Sequence, residues 1–125
     1  MNRRSFERTG VLLAGSIAAG VHAGLAPEHL GEWPPLGAAF VAAAAATAFA
    51  VVALAVRPSD RRAVHALSSL FAALIVGYVS TRVAALPPFD PEREPLDGLG
   101  VVTTTVEALG LLFALHLSQP RGGTR

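Results

Sequence analysis

The chain has no cysteine and no lysine, and its 125 residues include one tryptophan, one tyrosine and one methionine. Without cysteine there is no disulfide, thiolate metal site or thiol nucleophile, so any metal would have to be held by His, Asp and Glu. Charge is also scarce, at 15% of residues with a net charge of +1. No basic stripe carries interleaved aromatics, so nucleic acid is not an expected partner. G-x-S-x-G, a phosphate loop, G-x-G-x-x-G and H-E-x-x-H are all missing, and Glu28-His29 stands in the wrong order for the last of these. No catalytic residue is therefore nominated, and an enzyme is not expected.

Hydrocarbon is abundant. Apolar residues make up 52% of the chain and the mean hydropathy is +0.50, more than a soluble globule of this size needs for its core. The apolar residues fall into four blocks, 10–26, 36–56, 63–85 and 99–117. Each is close to the length of about 20 residues that crosses a hydrocarbon layer of about 30 Å. The second block runs from Leu36 to Val56 without a charge, and Arg57-Pro58-Ser59-Asp60-Arg61-Arg62 then forms a tight charged turn. The linker from Leu86 to Asp97 holds four prolines and four carboxylates, which predicts an extended loop without helix. These features predict an all-α integral membrane protein, an up-down-up-down four-helix bundle forming a single transmembrane domain over 1–125. Pro27 can open a short interfacial helix at about 27–33. Gly20-x-x-x-Gly24 and the alanine run of the second block are expected at the contacts between helices.

Residues 1–9 form a short basic leader. With the apolar run and Val21-His22-Ala23 they also fit a cleavable signal peptide, and Arg3-Arg4-x-Phe6 faintly resembles a twin-arginine signal. The three further spans favour a retained first helix. With four spans, both termini share one side with the 57–62 turn. That side carries Arg3, Arg4, Arg8, Arg57, Arg61, Arg62, Arg121 and Arg125, against Arg82 and Arg93 opposite. Such asymmetry predicts a multi-pass plasma-membrane protein with both termini cytoplasmic. The outer face then collects Glu28, Glu32, Asp90, Glu92, Glu94 and Asp97.

Three constellations are candidates for chemistry. His22, His29 and Glu32 lie where the first apolar run gives way to the second, and His29 and Glu32 are three apart, close enough on a helix to share a ligand. Imidazole with carboxylate suits a divalent metal, copper or zinc above all. Glu107 enters the membrane in the fourth block, near its middle, where an ionisable group is a functional candidate by default. It is expected to be protonated, paired, or facing a wet cavity. Tyr78, Arg82 and Thr103 are its expected companions in an intramembrane polar cluster, and Glu107 is also a candidate fourth metal ligand. His65 and His116 are expected at similar depth on adjacent helices, where a histidine pair can ligate a haem.

His22…Pro27-Glu28-His29-x-x-Glu32-Trp33-x-x-x-Gly37-x-x-Phe40, with Tyr78-x-x-x-Arg82-x-x-x-Leu86-Pro87…Glu94-Pro95…Asp97…Glu107, resembles a family of small four-span membrane proteins common in actinobacteria. The resemblance implies a four-helix membrane protein in which these side chains form one site, and it supplies no substrate. In the second helix Pro34-Pro35 and alanines stand where the family has a bulkier aromatic run and a glutamine. The expected function is thus an external-face His/carboxylate site binding copper or zinc. Two alternatives accompany it: an accessory or assembly subunit packing on a larger complex or a second copy, and a small ion or proton carrier using Glu107.

Overall fold

A computed structural model of the chain describes residues 2–87 and 91–119. The described residues form four helices, α1 (Arg3–Glu32), α2 (Pro34–Val56), α3 (Arg61–Val83) and α4 (Gly98–Ser118). Each is long and apolar enough to cross a membrane. Asp90, Arg121 and Arg125, which entered the charge asymmetry, lie outside the described residues.

Helix α1 departs most from expectation. Its N-terminus forms at Arg3 because the Asn2 side chain accepts the Ser5 N–H at 2.8 Å, satisfying one of the orphan donors of a first turn. The leader is therefore helical and packed. Phe6 meets Phe113 edge-on with ring centroids 5.6 Å apart, and Glu7 is buried with its carboxylate 2.8 Å from Arg3 Nε. At the other end Pro27 does not divide the helix, so the separate interfacial helix expected at 27–33 is instead the last turns of α1. A proline inside a helix deletes one N–H and presses on the carbonyl four residues back, here that of Ala23. The turn beyond it is held on α2, where Leu30 lies against Gly37, and Ala26, just before the proline, is buried. A Cβ at Gly37 would collide with the Leu30 backbone, so only glycine lets the helices meet this soon after the turn. At about 1.5 Å per residue, α1 is about 45 Å long and extends past the hydrocarbon thickness.

The other boundaries follow simple rules. Pro34 and Pro35 open α2, where a missing N–H costs nothing. Asp60 caps α3 by accepting the Arg62 N–H at 2.9 Å. Asp97 caps α4 by accepting the Gly100 N–H at 2.6 Å. From Pro91 to Asp97 the linker is free of helix, as its prolines predict.

Helix α1 packs on α2 and α4, and α3 packs on α4 and α2, while α1 and α3 barely touch across the diagonal. Phe40 of α2 lies against His22 and His29, and Gly37 lies against Leu30, so α1 and α2 run antiparallel. Phe6 with Phe113 and His22 with Glu107 set α1 antiparallel to α4. Phe71 beside Gly110 and Tyr78 beside Gly100 do the same for α3 and α4.

The interior has two unlike halves. Val11, Leu54, Leu67, Phe71 and Ala114 are fully buried in the half nearest the α2–α3 turn. Gly110 is obligatory there, because an added Cβ would come within 2.7 Å of both the Ala14 methyl and the Phe71 ring. Towards the other end Thr47, Thr103, Glu107 and the imidazole of His22 enter the interior. Gly20 and Gly24, expected between helices of the bundle, instead face outward, with nothing within 4 Å of the place a Cβ would take. The small residues that do pack inside α1 are Ala14, Gly15, Ala18, Ala19 and Ala26, on a different stripe of the same helix.

Candidate functional site

Glu107 lies nine residues into α4, about 14 Å along its axis, and its side chain is 2% exposed. Its Oε1 has no hydrogen-bond partner. A buried carboxylate oxygen without a hydrogen bond is costly to hold, so what stands nearby decides its chemistry. His22 of α1 presents Nδ1 at 4.0 Å from that oxygen, about 1 Å beyond a hydrogen bond. The same Nδ1 lies 2.8 Å from the Ala18 carbonyl. A carbonyl only accepts, so this bond requires the imidazole proton on Nδ1 and leaves Nε2 with its lone pair.

Phe40 of α2 packs against His22 and against His29. Its ring centroid is 5.1 Å from that of His22 and 4.3 Å from that of His29. His29, further along α1, has Nδ1 3.9 Å from Oε2 of Glu32, whose side chain is 67% exposed. The four expected metal ligands thus form two pairs instead of one set: His22 with Glu107 inside the bundle, and His29 with Glu32 at the end of α1. Seven residues separate the histidines, a rise of about 10 Å along the helix. Among the described residues no group of three or more His, Asp or Glu is placed to hold a metal ion. Open zinc sites use three protein ligands, so neither pair alone makes one.

The expected cluster of Tyr78, Arg82, Thr103 and Glu107 is also rearranged. Arg82 does not pair with Glu107. Its Nη2 donates to Oδ2 of Asp97 at 2.8 Å, its Nη1 donates to the Thr81 hydroxyl at 2.8 Å, and its guanidinium lies 4.2 Å over the Tyr78 ring. Tyr78 packs against Gly100, while its buried hydroxyl has no partner. The Glu94 N–H donates to the Thr81 carbonyl at 2.9 Å, fastening the linker to the same corner. Thr103 is buried but satisfied, donating to the Leu99 carbonyl at 2.8 Å. The result is a clasp between the end of α3 and the start of α4, separate from Glu107. Within it the Asp97 carboxyl is held below the usual carboxylate range, chiefly by the Gly100 N–H and further by Arg82.

His65 and His116 are both exposed, on the outside of the bundle. A haem held inside the bundle would need both rings turned into the interior, where neither residue is placed.

Glu7 and Thr47 were not singled out from the sequence, and Asp97 was named there without its partner or its capping role. Asp97 is the partner of Arg82, and Asp-Gly immediately before an apolar run is a helix-start signature. Glu7 is buried through its four-residue spacing from Arg3. Thr47, fully buried with an unpartnered hydroxyl, carried no signal within its alanine run.

No family model, curated protein or solved structure matches the chain. Its function therefore has to be sought in the site itself.

Proposed function

We propose that the chain is a multi-pass plasma-membrane protein, with its helices in up-down-up-down order and both termini cytoplasmic, that carries a proton on an interior carboxylate and imidazole. The observation that supports this reading is the sealed Glu107 carboxylate, whose unpartnered Oε1 stands 4.0 Å from His22. Because Nδ1 already carries the proton donated to the Ala18 carbonyl, the acceptor is Nε2, and exchange requires the imidazole to turn that nitrogen towards the carboxyl: the carboxyl O–H breaks, and the proton joins Nε2 to give carboxylate and imidazolium. Each state relieves the charge the other would leave isolated in a low-dielectric interior. Histidine is suited to this exchange because it titrates near neutral pH.

The test is infrared difference spectroscopy on the protein in lipid vesicles. A carboxyl C=O band that grows and fades with pH, and vanishes in Glu107→Gln, is the expected result. Loss of proton uptake by the vesicles in the same variant completes it. A pH-independent Glu107 band, with uptake equal in both proteins, removes the reading.

A second reading, an accessory subunit of a larger membrane complex or a homo-oligomer, draws on the outward Gly20, Gly24 and Gly31, which have open space beyond them. Small exposed residues permit close approach of another helix in lipid. Co-purification of a second membrane protein, lost in Gly20→Leu/Gly24→Leu, would favour it. The copper or zinc reading has less support, since His22 and Glu107 supply only two ligands. It requires metal retention by the purified protein that disappears in His22→Ala/His29→Ala.

A further inference from the structure

At the end of the bundle opposite the Asp97 clasp, the start of α1, the α2–α3 turn and the end of α4 leave a cleft. It has two contiguous parts of about 320 and 310 Å³, which share Arg4, Pro58, Ser59 and Leu117. Arg61 completes one part and Arg8 the other. Volumes of this order are those of small-molecule sites, about 300–1,000 Å³.

Its chemistry is one-sided. Among the described residues three arginines line it and no carboxylate does. The nearest acids are engaged elsewhere: Glu7 pairs with Arg3, and Asp60 accepts the Arg62 N–H. Arg4 donates through Nη2 to the Gln119 carbonyl at 3.1 Å, and its guanidinium has further N–H donors with which to meet a second partner. The N-terminal ends of α1 and α3 both open at this end, and their partial positive charges add to those of the arginines. Ser59 brings a hydroxyl, and Val64 with Leu117 supplies an apolar wall beside the charges. A phosphate oxygen matches the guanidinium fork. Phosphate joined to an acyl chain also matches the wall.

We infer that this cleft binds a phosphate group, carried by an anionic membrane lipid or as a free ion, through Arg4, Arg8 and Arg61 with the Ser59 hydroxyl. The arginines then do more than set orientation. They converge on one ligand.

The experiment uses the full chain in nanodiscs of phosphatidylglycerol mixed with phosphatidylcholine, with bound lipid counted by native mass spectrometry after detergent extraction. A parallel arm titrates inorganic phosphate into the delipidated protein. The wild type is expected to retain phosphatidylglycerol at least tenfold over phosphatidylcholine. Arg4→Gln/Arg8→Gln/Arg61→Gln is expected to lose that preference, since each arginine near an anionic surface contributes about a fivefold factor. Arg57→Gln/Arg62→Gln, which removes charge from the same face without touching the cleft lining, is expected to keep it. Phosphate binding that is absent from the triple variant, with no lipid preference, assigns the site to the free ion. The inference is overturned if neither probe distinguishes wild type from the triple variant, or if the Arg57/Arg62 variant loses as much per charge. Should the triple variant fail to fold, Arg8→Gln and Arg61→Gln are measured singly, each expected to weaken retention at least threefold, and unchanged retention in both also overturns it.

Discussion

Nη2 of Arg82 lies 2.8 Å from Oδ2 of Asp97, joining the last turn of α3 to the cap of α4. The carboxylate is half exposed, so the ion pair itself contributes little. The cap on Gly100 contributes more. Asp97→Ala is expected to destabilise the protein by about 1–2 kcal/mol, and Asp97→Asn, which can still cap, by less. Thermal unfolding in detergent followed by circular dichroism measures both.

The same carboxyl gives a pH dependence whose sign is fixed. Its pKa is lower in the folded protein than in the unfolded chain. Its stabilisation is therefore fully present above the unfolded value, about 3.9, and is lost as pH falls through the lower folded value. The melting-temperature difference between wild type and Asp97→Asn should hold from neutral pH down to about pH 4, then shrink on further acidification. A difference that grows on acidification would contradict the geometry.

Gly37 and Gly24 provide a contrast within one helical hairpin. Gly37→Ala drives a methyl into the Leu30 backbone, and an expected loss of about 1–3 kcal/mol follows from overpacking. Gly24→Ala meets open space, and its change is expected within about 0.5 kcal/mol, or slightly stabilising through helix propensity. Parallel melts of the two variants decide this.

Phe40 touches both imidazoles, at 5.1 and 4.3 Å between centroids. Phe40→Ala should open His22 to a histidine-directed acylating reagent that leaves it intact in the wild type. His65 and His116, already exposed, should react equally in both proteins. Peptide mapping after labelling reads the result.

The absence of cysteine makes sidedness directly measurable. Single Ser59→Cys and Glu28→Cys variants are expected to label from opposite faces of sealed vesicles, Ser59→Cys from the cytoplasmic one. Labelling of both from one face would remove the proposed orientation.

The four helices were legible because their apolar blocks have spanning length and their breaks carry proline and charge. The ends of α1 were not, because a basic leader and an internal proline both read as non-helical until the contacts of Phe6, Ala26 and Leu30 are known. Glu107 was legible as an interior polar group by depth alone. Its neighbour was not: Arg82 matched it by charge, but Asp97 lies nearer in the fold, and helix rotation turned His22 towards Glu107 instead. Rotation also decided the glycines, since Gly20 and Gly24 share a spacing but not a face with the buried alanines. Periodicity gives a stripe, and only packing says which way it faces.

A single residue, Trp33, separates the end of α1 from the start of α2. Its N–H is tied to His29 and its carbonyl to Gly37, so the connection has no slack with which to absorb relative movement. The two helices behave as one bent lever with its elbow at Trp33. A bilayer too thin for the length of α1, about 45 Å by its rise per residue, would tilt both arms together. Membrane thickness would thereby reach His22, Phe40 and His29 as a tilt of one rigid unit, with their mutual packing carried along unchanged.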